Sequence, residues 1–165
     1  MSTTWSPPLP GTTKANFDVA LSLDFAVVAT IISDSNDNII GVATKKILTT
    51  DVALGEAQAA LLAVYTAASC CVYSLILEGD ALNVVLAIQQ PWLFGGWNFS
   101  RVVSDISLYL DSFYSWKADK ASRSAIFRAH CLAKWAASHL LFGSIPIESF
   151  ILLSIWNRSG KNPPG

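Results

Sequence analysis

The chain has 165 residues and a mass of 17.8 kDa, which is enough for one domain with a substantial buried core. Hydrophobic residues make up 52% of it and charged residues only 14%, so the composition argues against a disordered protein. The net charge of −1 and the pI near 6.0 exclude a broad basic field, and nucleic-acid binding would have to rest on local basic patches.

The three cysteines, Cys70, Cys71 and Cys131, do not predict a disulfide framework, because their number is odd and two of them are adjacent. Their spacing relative to histidine fits no zinc site, and we expect them to be small buried hydrophobic residues. The first residues lack the basic and then apolar pattern of a signal peptide. We therefore expect an intracellular protein, in the nucleus or the cytoplasm.

The first part of the chain predicts an extended lead-in followed by three strands. Residues 1–13 are rich in Pro, Thr and Gly, which favour irregular structure. Strands are predicted over 14–23, 27–33 and 39–46, and the turn-forming residues 34–38 join the second strand to the third. Together they predict an antiparallel meander at the start of a domain that spans 14–142.

The rest of this domain alternates helices with strands. Helices are predicted over 53–69, 81–89, 99–113 and 127–141, and strands over 72–77 and 114–118. Thr49, Thr50 or Asp51 is the expected cap of the first helix, and Asp80 that of the second. Residues 143–165 are expected to form a tail. Strand–helix–strand steps imply parallel pairing, so the predicted α/β fold is a mixed five-stranded sheet with helices on both faces.

One uncharged stretch is long enough to cross a bilayer. Residues 59–77 carry no formal charge, which leaves a membrane-spanning helix as an alternative. The first half is rich in Ala and Leu, whereas the second half is typical of a strand. A helix followed by a buried strand explains this change better, and we expect no membrane partner.

Three acidic residues lie where apolar segments begin or end. Asp18 follows Asn-Phe in the first strand, Glu56 lies in the first long helix, and Asp80 follows the fourth strand. A lone carboxylate is costly to bury beside apolar residues, whereas three converging carboxylates can share a divalent cation. Taken singly, Asp80 is also explained as a helix cap and Glu56 as a solvated helical residue.

Several short motifs follow one another in a defined order. They are Trp5-Ser-Pro-Pro, Lys14-Ala-Asn-Phe-Asp18, Gly55-Glu56-Ala57, Glu78-Gly-Asp80, Asp105-Ile106, and Arg123 with Ala129-His130-Cys-Leu-Ala133. In this order and spacing they resemble the ribonuclease H family, most closely the plant type 1-like domains related to reverse transcriptases of non-LTR retroelements. The resemblance covers Trp5 to about Leu141.

The resemblance implies a nuclease that cleaves the RNA strand of an RNA–DNA hybrid. Two Mg²⁺ ions, or Mn²⁺ ions in their place, would be held by Asp18, Glu56 and Asp80, with Asp18 between them. Glu56 would also lie near the 2′-hydroxyl of the RNA. The implied partner is nucleic acid, and we expect a monomer.

The chain departs from the family pattern at several positions. Active members carry a fourth acid where this chain has His130, which is a catalytic candidate here either as a metal ligand or as a hydrogen-bonded structural residue. Val19 and Ala81 replace a glycine and a serine, and Ile126 replaces an asparagine for which Ser124 is a possible substitute cap. These departures leave two hypotheses: an active ribonuclease H, or a domain of the same fold that has lost catalysis and serves as a binding or accessory module.

The predicted binding surface is sparse. Lys120, Arg123 and Arg128 are the candidates for contacts with nucleic-acid phosphates, although a solvated charged face explains them equally well. The segment over 91–101 contains four aromatic residues and one basic residue. Stacking on bases usually combines aromatic with basic residues, so we expect the four to be core residues: Trp92, Phe94, Trp97 and Phe99.

Overall fold

The structure is a computed structural model, and it describes residues 5–146. Its strands are β1 (Thr13–Leu21), β2 (Ala26–Ser33), β3 (Ile39–Ile47), β4 (Ser74–Gly79), β5 (Ser115–Lys120) and β6 (Gly143–Ser144). Its helices are α1 (Val52–Ser69), α2 (Leu82–Gln89), α3 (Ser100–Leu110) and α4 (Phe127–His139), and a 3₁₀ turn at Pro91–Phe94 follows α2. The predicted order of elements is confirmed.

All the strands belong to one mixed sheet, in the order β5-β4-β1-β2-β3-β6. β1, β2 and β3 form the predicted antiparallel meander, while β4 pairs in parallel with both β1 and β5. The sheet has six strands instead of the predicted five, because Gly143 and Ser144 pair with Thr44 and Ala43 at the edge of β3. The sheet thus continues past residue 142, and the tail beyond 146 lies outside the described residues.

Helices cover both faces of the sheet, as predicted. On one face, α1, α2 and α3 enclose the larger apolar cluster with residues such as Phe17, Leu75 and Leu77. On the other face, α4 packs Ala129, Leu132 and Ala133 on Ala29, Ile31 and Val42. β2 is buried along its whole length because it is covered on both sides.

Helix α1 begins as the sequence predicts. Asp51 is its N-cap, and its carboxylate accepts a hydrogen bond of 2.9 Å from the backbone N–H of Leu54. By length and composition alone α1 is apolar enough to cross a membrane, but half of it is buried inside the domain, and the strand β4 follows it as predicted. A helix that is apolar on most sides is expected in a core between a sheet and a second helix.

The predicted burial of the cysteines needs correction. Cys71 is exposed and Cys70 and Cys131 are half-buried, so the cysteines are not the fully buried residues that the sequence predicts. Cys71 also adopts the left-handed backbone conformation (φ 56°) just past the end of α1, where a residue turns away from the helix and toward solvent.

Candidate metal centre

The site lies where β1 and β4 separate. Their parallel pairing ends at Asn16 and Glu78. Asp18 and Asp80 each lie two residues beyond that last pair, at the carboxyl end of the ladder. Ligands in open α/β sheets bind in crevices at the carboxyl ends of strands, and the topology therefore places both acids where such a crevice opens.

Gly79 brings β4 close to β1 just before Asp80. A Cβ atom on Gly79 would lie 2.4 Å from Cε2 and Cζ of Phe17, which is closer than real atoms approach. Phe17 is fully buried, so its ring has no free space in which to move. The glycine in Glu78-Gly-Asp80 is thus required by packing, and it holds Asp80 near Asp18.

Glu56 reaches the site from the second turn of α1. The helix approaches β1 closely at Gly55, where an added Cβ would lie 3.0 Å from Cγ2 of Val19. Val19 stands where the resemblance to the ribonuclease H family implies a glycine, and Gly55 provides the space for its side chain. This departure from the family pattern is therefore accommodated between α1 and β1.

The three predicted acids converge. One carboxylate oxygen from each of Asp18, Glu56 and Asp80 lies within 4.8 Å of those of the other two. Asp18 is 1% exposed and Glu56 is 5% exposed, and Oε2 of Glu56 forms no hydrogen bond with any of the described residues. A buried, unpartnered carboxylate oxygen is costly, and it points to a cation as the missing partner.

The electrostatics of the site agree with this view. Burial raises the pKa of Glu56 to about 9, and the negative charges of Asp18 and Asp80 add to the increase while Arg123 opposes it. Burial is also the main cause of the raised pKa of Asp18, against a hydrogen bond with His130. Both shifts describe carboxylates that repel one another in a poorly solvated place, which a divalent cation relieves.

His130 contacts the site directly. Its Nδ1 lies 2.6 Å from Oδ2 of Asp18, so when Asp18 is ionised Nδ1 carries the hydrogen and donates it. The histidine comes from the first turn of α4, on the opposite face of the sheet from Glu56. Of the two interpretations that the sequence left open, this geometry favours a hydrogen-bonded residue that orients Asp18.

Asp80 is not the helix cap that the sequence predicts. The N-cap of α2 is Ala81, which makes no side-chain cap bond. Asp80 instead lies 3.3 Å from Nε of Arg123, through its Oδ2. The carboxylate is therefore directed toward the acids and the guanidinium rather than back onto its own helix.

Of the three basic candidates, Arg123 contacts an acid of the site, Asp80. Arg128 forms an ion pair of 3.3 Å with Asp37 and stacks on Trp5, with 4.6 Å between its Cζ and the ring centroid. Lys120 lines a separate pocket with Glu78 and Asp119. Ser124, the possible substitute for the missing asparagine cap, is not the N-cap of α4. Ile126 holds that position without a side-chain cap bond.

Sequence reasoning missed a buried polar network beside the site. Lys14 and Glu78 form an ion pair of 3.2 Å with both side chains 7% exposed, and Asn16 donates a hydrogen bond of 3.0 Å to Oε1 of Glu78. Trp5 donates from its indole to Asn16, and Lys14 donates to the carbonyl of Ser6. The motif Lys14-Ala-Asn-Phe-Asp18 indicates this network in the sequence, because every second residue of this buried strand is polar.

The aromatic segment is divided between core and surface. Phe99 is fully buried and Phe94 packs against the core, as predicted. Trp92 is 76% exposed and Trp97 is 49% exposed, so the prediction of four core residues is wrong for these two. Trp97 follows Gly95 and Gly96, where no atom of the described residues lies within 4 Å of an added Cβ.

Comparison with known proteins supports the fold and identifies the family. A family model described as reverse transcriptase-like matches residues 16–136. RNase H1 from the halophilic archaeon Halobacterium salinarum NRC-1 superposes with a TM-score of 0.72 at 22% identity, covering 78% of this chain and 98% of that one. No curated protein sequence matches the chain.

Two further solved structures share this fold. The N-terminal RNase H domain of Rv2228c from Mycobacterium tuberculosis has a TM-score of 0.71 at 11% identity, covering 78% of this chain and 94% of that one. LC11-RNase H1 in complex with an RNA/DNA hybrid has a TM-score of 0.66 at 13% identity, covering 74% and 94%. At these identities the likeness establishes the fold, and the chemistry has to be argued from the site.

Proposed function

Because the chain belongs to the reverse transcriptase-like family and has a ribonuclease H-like fold, we propose that it is a ribonuclease H-type domain that binds RNA–DNA hybrids and hydrolyses their RNA strand. The observation that carries the proposal is the cluster of Asp18, Glu56 and Asp80, in which the buried Oε2 of Glu56 forms no hydrogen bond within residues 5–146. A solved relative with this fold has an RNA/DNA hybrid bound, which supports the choice of substrate.

The residues of the cluster fit divalent cations. Their donors are hard carboxylate oxygens, and such oxygens are the ligands that Mg²⁺ and Mn²⁺ prefer. Under the two-metal mechanism that the family resemblance implies, such cations would supply activation of a water and stabilisation of the charge on the leaving oxygen. Asp18, Glu56 and Asp80 would hold them.

The chain's own side chains have distinct tasks in this proposal. His130 fixes the orientation of Asp18 through their 2.6 Å contact, which is a supporting role common around metal-binding carboxylates. Arg123, 68% exposed beside Asp80, presents a guanidinium to a phosphate of the bound strand. A pocket of about 360 Å³ lined by Glu56, Asp80, Asn83 and Arg123 leaves room for the strand at the acids.

A specific observation also favours the second hypothesis, a binding module that has lost catalysis. The position of the fourth acid is taken by His130, which bonds to Asp18 and brings no negative charge at neutral pH. Such a module would bind hybrids without a divalent cation, and its binding would survive Asp18→Asn.

A cleavage assay separates the two. A hybrid with a labelled RNA strand is incubated in Mg²⁺ or Mn²⁺ with the wild type, with Asp18→Asn and with Asp24→Asn, a matched change at an exposed turn acid. We expect cleavage by the wild type and by Asp24→Asn, and none by Asp18→Asn. An intact hybrid with the wild type in both metals, under conditions where a known ribonuclease H cuts it, would contradict the proposal.

A further inference from the structure

We propose that Trp5, in the segment before the first strand, is a positioning residue for the cluster of acids. Its side chain joins β1, β4 and α4, the elements that position Asp18, Asp80 and His130. The proposal rests on the proposed function, since it concerns the same site. It goes beyond that function by making the segment before β1 a part of the metal centre.

The first step is the set of contacts around the indole of Trp5. The indole N–H donates a hydrogen bond of 3.0 Å to Oδ1 of Asn16 on β1. The ring lies 4.6 Å from Cζ of Arg128 and 5.6 Å from Nζ of Lys14, so two cations contact one aromatic side chain. Lys14 also donates a hydrogen bond of 2.7 Å to the carbonyl of Ser6. The segment is therefore attached to the domain at two consecutive residues.

The second step leads from Trp5 to the two strands. An indole can only donate, so it determines which end of the Asn16 amide faces it. The Nδ2 end then faces β4 and donates a hydrogen bond of 3.0 Å to Oε1 of Glu78. Without the indole, the amide can rotate and set its oxygen against the Glu78 carboxylate, which repels it. Asn16 and Glu78 are the last pair of the β1–β4 ladder, two residues before Asp18 and Asp80.

The third step leads from Trp5 to α4. Arg128 lies in the first turn of this helix, whose N-cap residue makes no side-chain cap bond. Its guanidinium stacks on Trp5 and forms an ion pair of 3.3 Å with Asp37, in the turn between β2 and β3. These contacts hold the first turn of α4 in place of a cap. His130 follows two residues later, with its Nδ1 2.6 Å from Oδ2 of Asp18.

Together these contacts place Trp5 behind three supports of the site. It acts through Asn16, Glu78 and Arg128, so it is a positioning residue and not a ligand. A residue that served stability alone would lower the free energy of unfolding and leave the cation affinity of the folded protein unchanged. Supporting residues behind a metal site also change that affinity.

The test measures the affinity for Mn²⁺ by calorimetric titration of the full chain without nucleic acid, at a temperature where circular dichroism shows each variant to be folded. Trp5→Leu removes the N–H donor and the ring, and Trp5→Phe removes the donor and keeps a ring. We expect Trp5→Leu to bind Mn²⁺ about tenfold more weakly than the wild type, with Trp5→Phe between the two.

Two controls accompany these variants. Trp92→Phe makes the same change at a tryptophan that is 76% exposed. Val103→Ala lowers stability in the larger apolar cluster, away from the Trp5 contacts. We expect both to bind Mn²⁺ as the wild type does.

Wild-type affinity in either folded Trp5 variant, or an equal loss of affinity in Val103→Ala, would overturn the inference and leave the proposed function in place. If Trp5→Leu does not fold, Trp5→Phe decides the matter. A wild type that binds Mn²⁺ but leaves the hybrid intact would contradict the proposed function, and the affinities of the variants would still decide the role of Trp5. A wild type that binds no Mn²⁺ would overturn both.

Discussion

The ring of Phe17 lies against the backbone of Gly79, so closely that a Cβ on the glycine would be 2.4 Å from two ring carbons. These residues directly precede Asp18 and Asp80 on the two strands that open to form the site. The contact therefore sets the distance between two of the three acids. It connects the packing of the core to the geometry of the metal centre.

Replacing Gly79 by alanine tests this connection. The added methyl group has to displace the Phe17 ring, and overpacking of this kind costs about 1–3 kcal/mol in the free energy of unfolding. We expect a loss of that size in denaturant unfolding, together with weaker Mn²⁺ binding. Gly95→Ala is the control, because no atom in the described part of the chain lies within 4 Å of its Cβ position. Equal stabilities of the two variants would contradict the role of Gly79.

Glu56 gives the metal-free protein a characteristic dependence on pH. Its pKa is about 9 in the folded chain and near 4.5 in the unfolded chain, so between these values the folded state binds the extra proton. The contribution of Glu56 to the free energy of unfolding is fully present below about pH 4.5 and is lost as the pH rises toward 9. The raised pKa of Asp18 acts in the same direction.

Glu56→Gln removes the larger part of this dependence. We expect the wild type in EDTA to lose stability between pH 5 and pH 8, and the variant to lose much less, in guanidinium unfolding at each pH. Added Mn²⁺ should restore the wild type at pH 8 and leave Glu56→Gln unchanged. Parallel pH profiles of the two proteins would show that Glu56 is not buried beside Asp18 and Asp80.

Breaking the buried ion pair of Lys14 and Glu78 is predicted to lower the free energy of unfolding. Lys14→Met leaves Glu78 buried without its counter-charge, and such changes cost about 3–5 kcal/mol. Lys117→Met breaks the exposed pair with Asp119 and should cost no more than about 1 kcal/mol. In the double variant Lys14→Met with Glu78→Gln, much of the loss should be recovered. If the losses from Lys14→Met and Glu78→Gln simply add in the double variant, as measured by urea unfolding, the two side chains are not directly coupled.

The aromatic segment provides a contrast between neighbours. Phe99 is fully buried, and Phe99→Ala should cost about 3–5 kcal/mol. Trp92 is 76% exposed, and Trp92→Ala should change stability by less than about 0.5 kcal/mol. Thermal unfolding of both variants checks this. A large loss for Trp92→Ala would mean that the tryptophan has a packing partner.

The sequence predicts features that depend on local patterns. Thr49, Thr50 and Asp51 are the predicted candidate caps of α1, because short polar side chains before an Ala-rich helix bond to the free N–H groups of its first turn, and the cap in the structure is Asp51. The convergence of Asp18, Glu56 and Asp80 followed from the position of each acid at the end of an element, once the strands were assigned. Both predictions are confirmed in the structure.

Features that depend on distant partners were missed. The strand at Gly143 and Ser144 has only two residues, and its pairing depends on the free edge of β3 about a hundred residues earlier in the chain. Asp80 is of a residue type and at a position typical of a helix cap, but Arg123 and the neighbouring acids determine the orientation of its carboxylate. The hydrogen bond between His130 and Asp18 joins opposite ends of the domain, and no local pattern predicts it.

Calorimetric titration of Mn²⁺ into the wild type, Asp18→Asn and Asp24→Asn at neutral pH tests the central claim most directly, because it measures the site without any nuclease activity. If Asp18, Glu56 and Asp80 form a cation site, the wild type and Asp24→Asn bind Mn²⁺ with equal affinity, and Asp18→Asn binds it about tenfold more weakly or not at all. Equal binding by all three proteins, or none by the wild type, would contradict the claim.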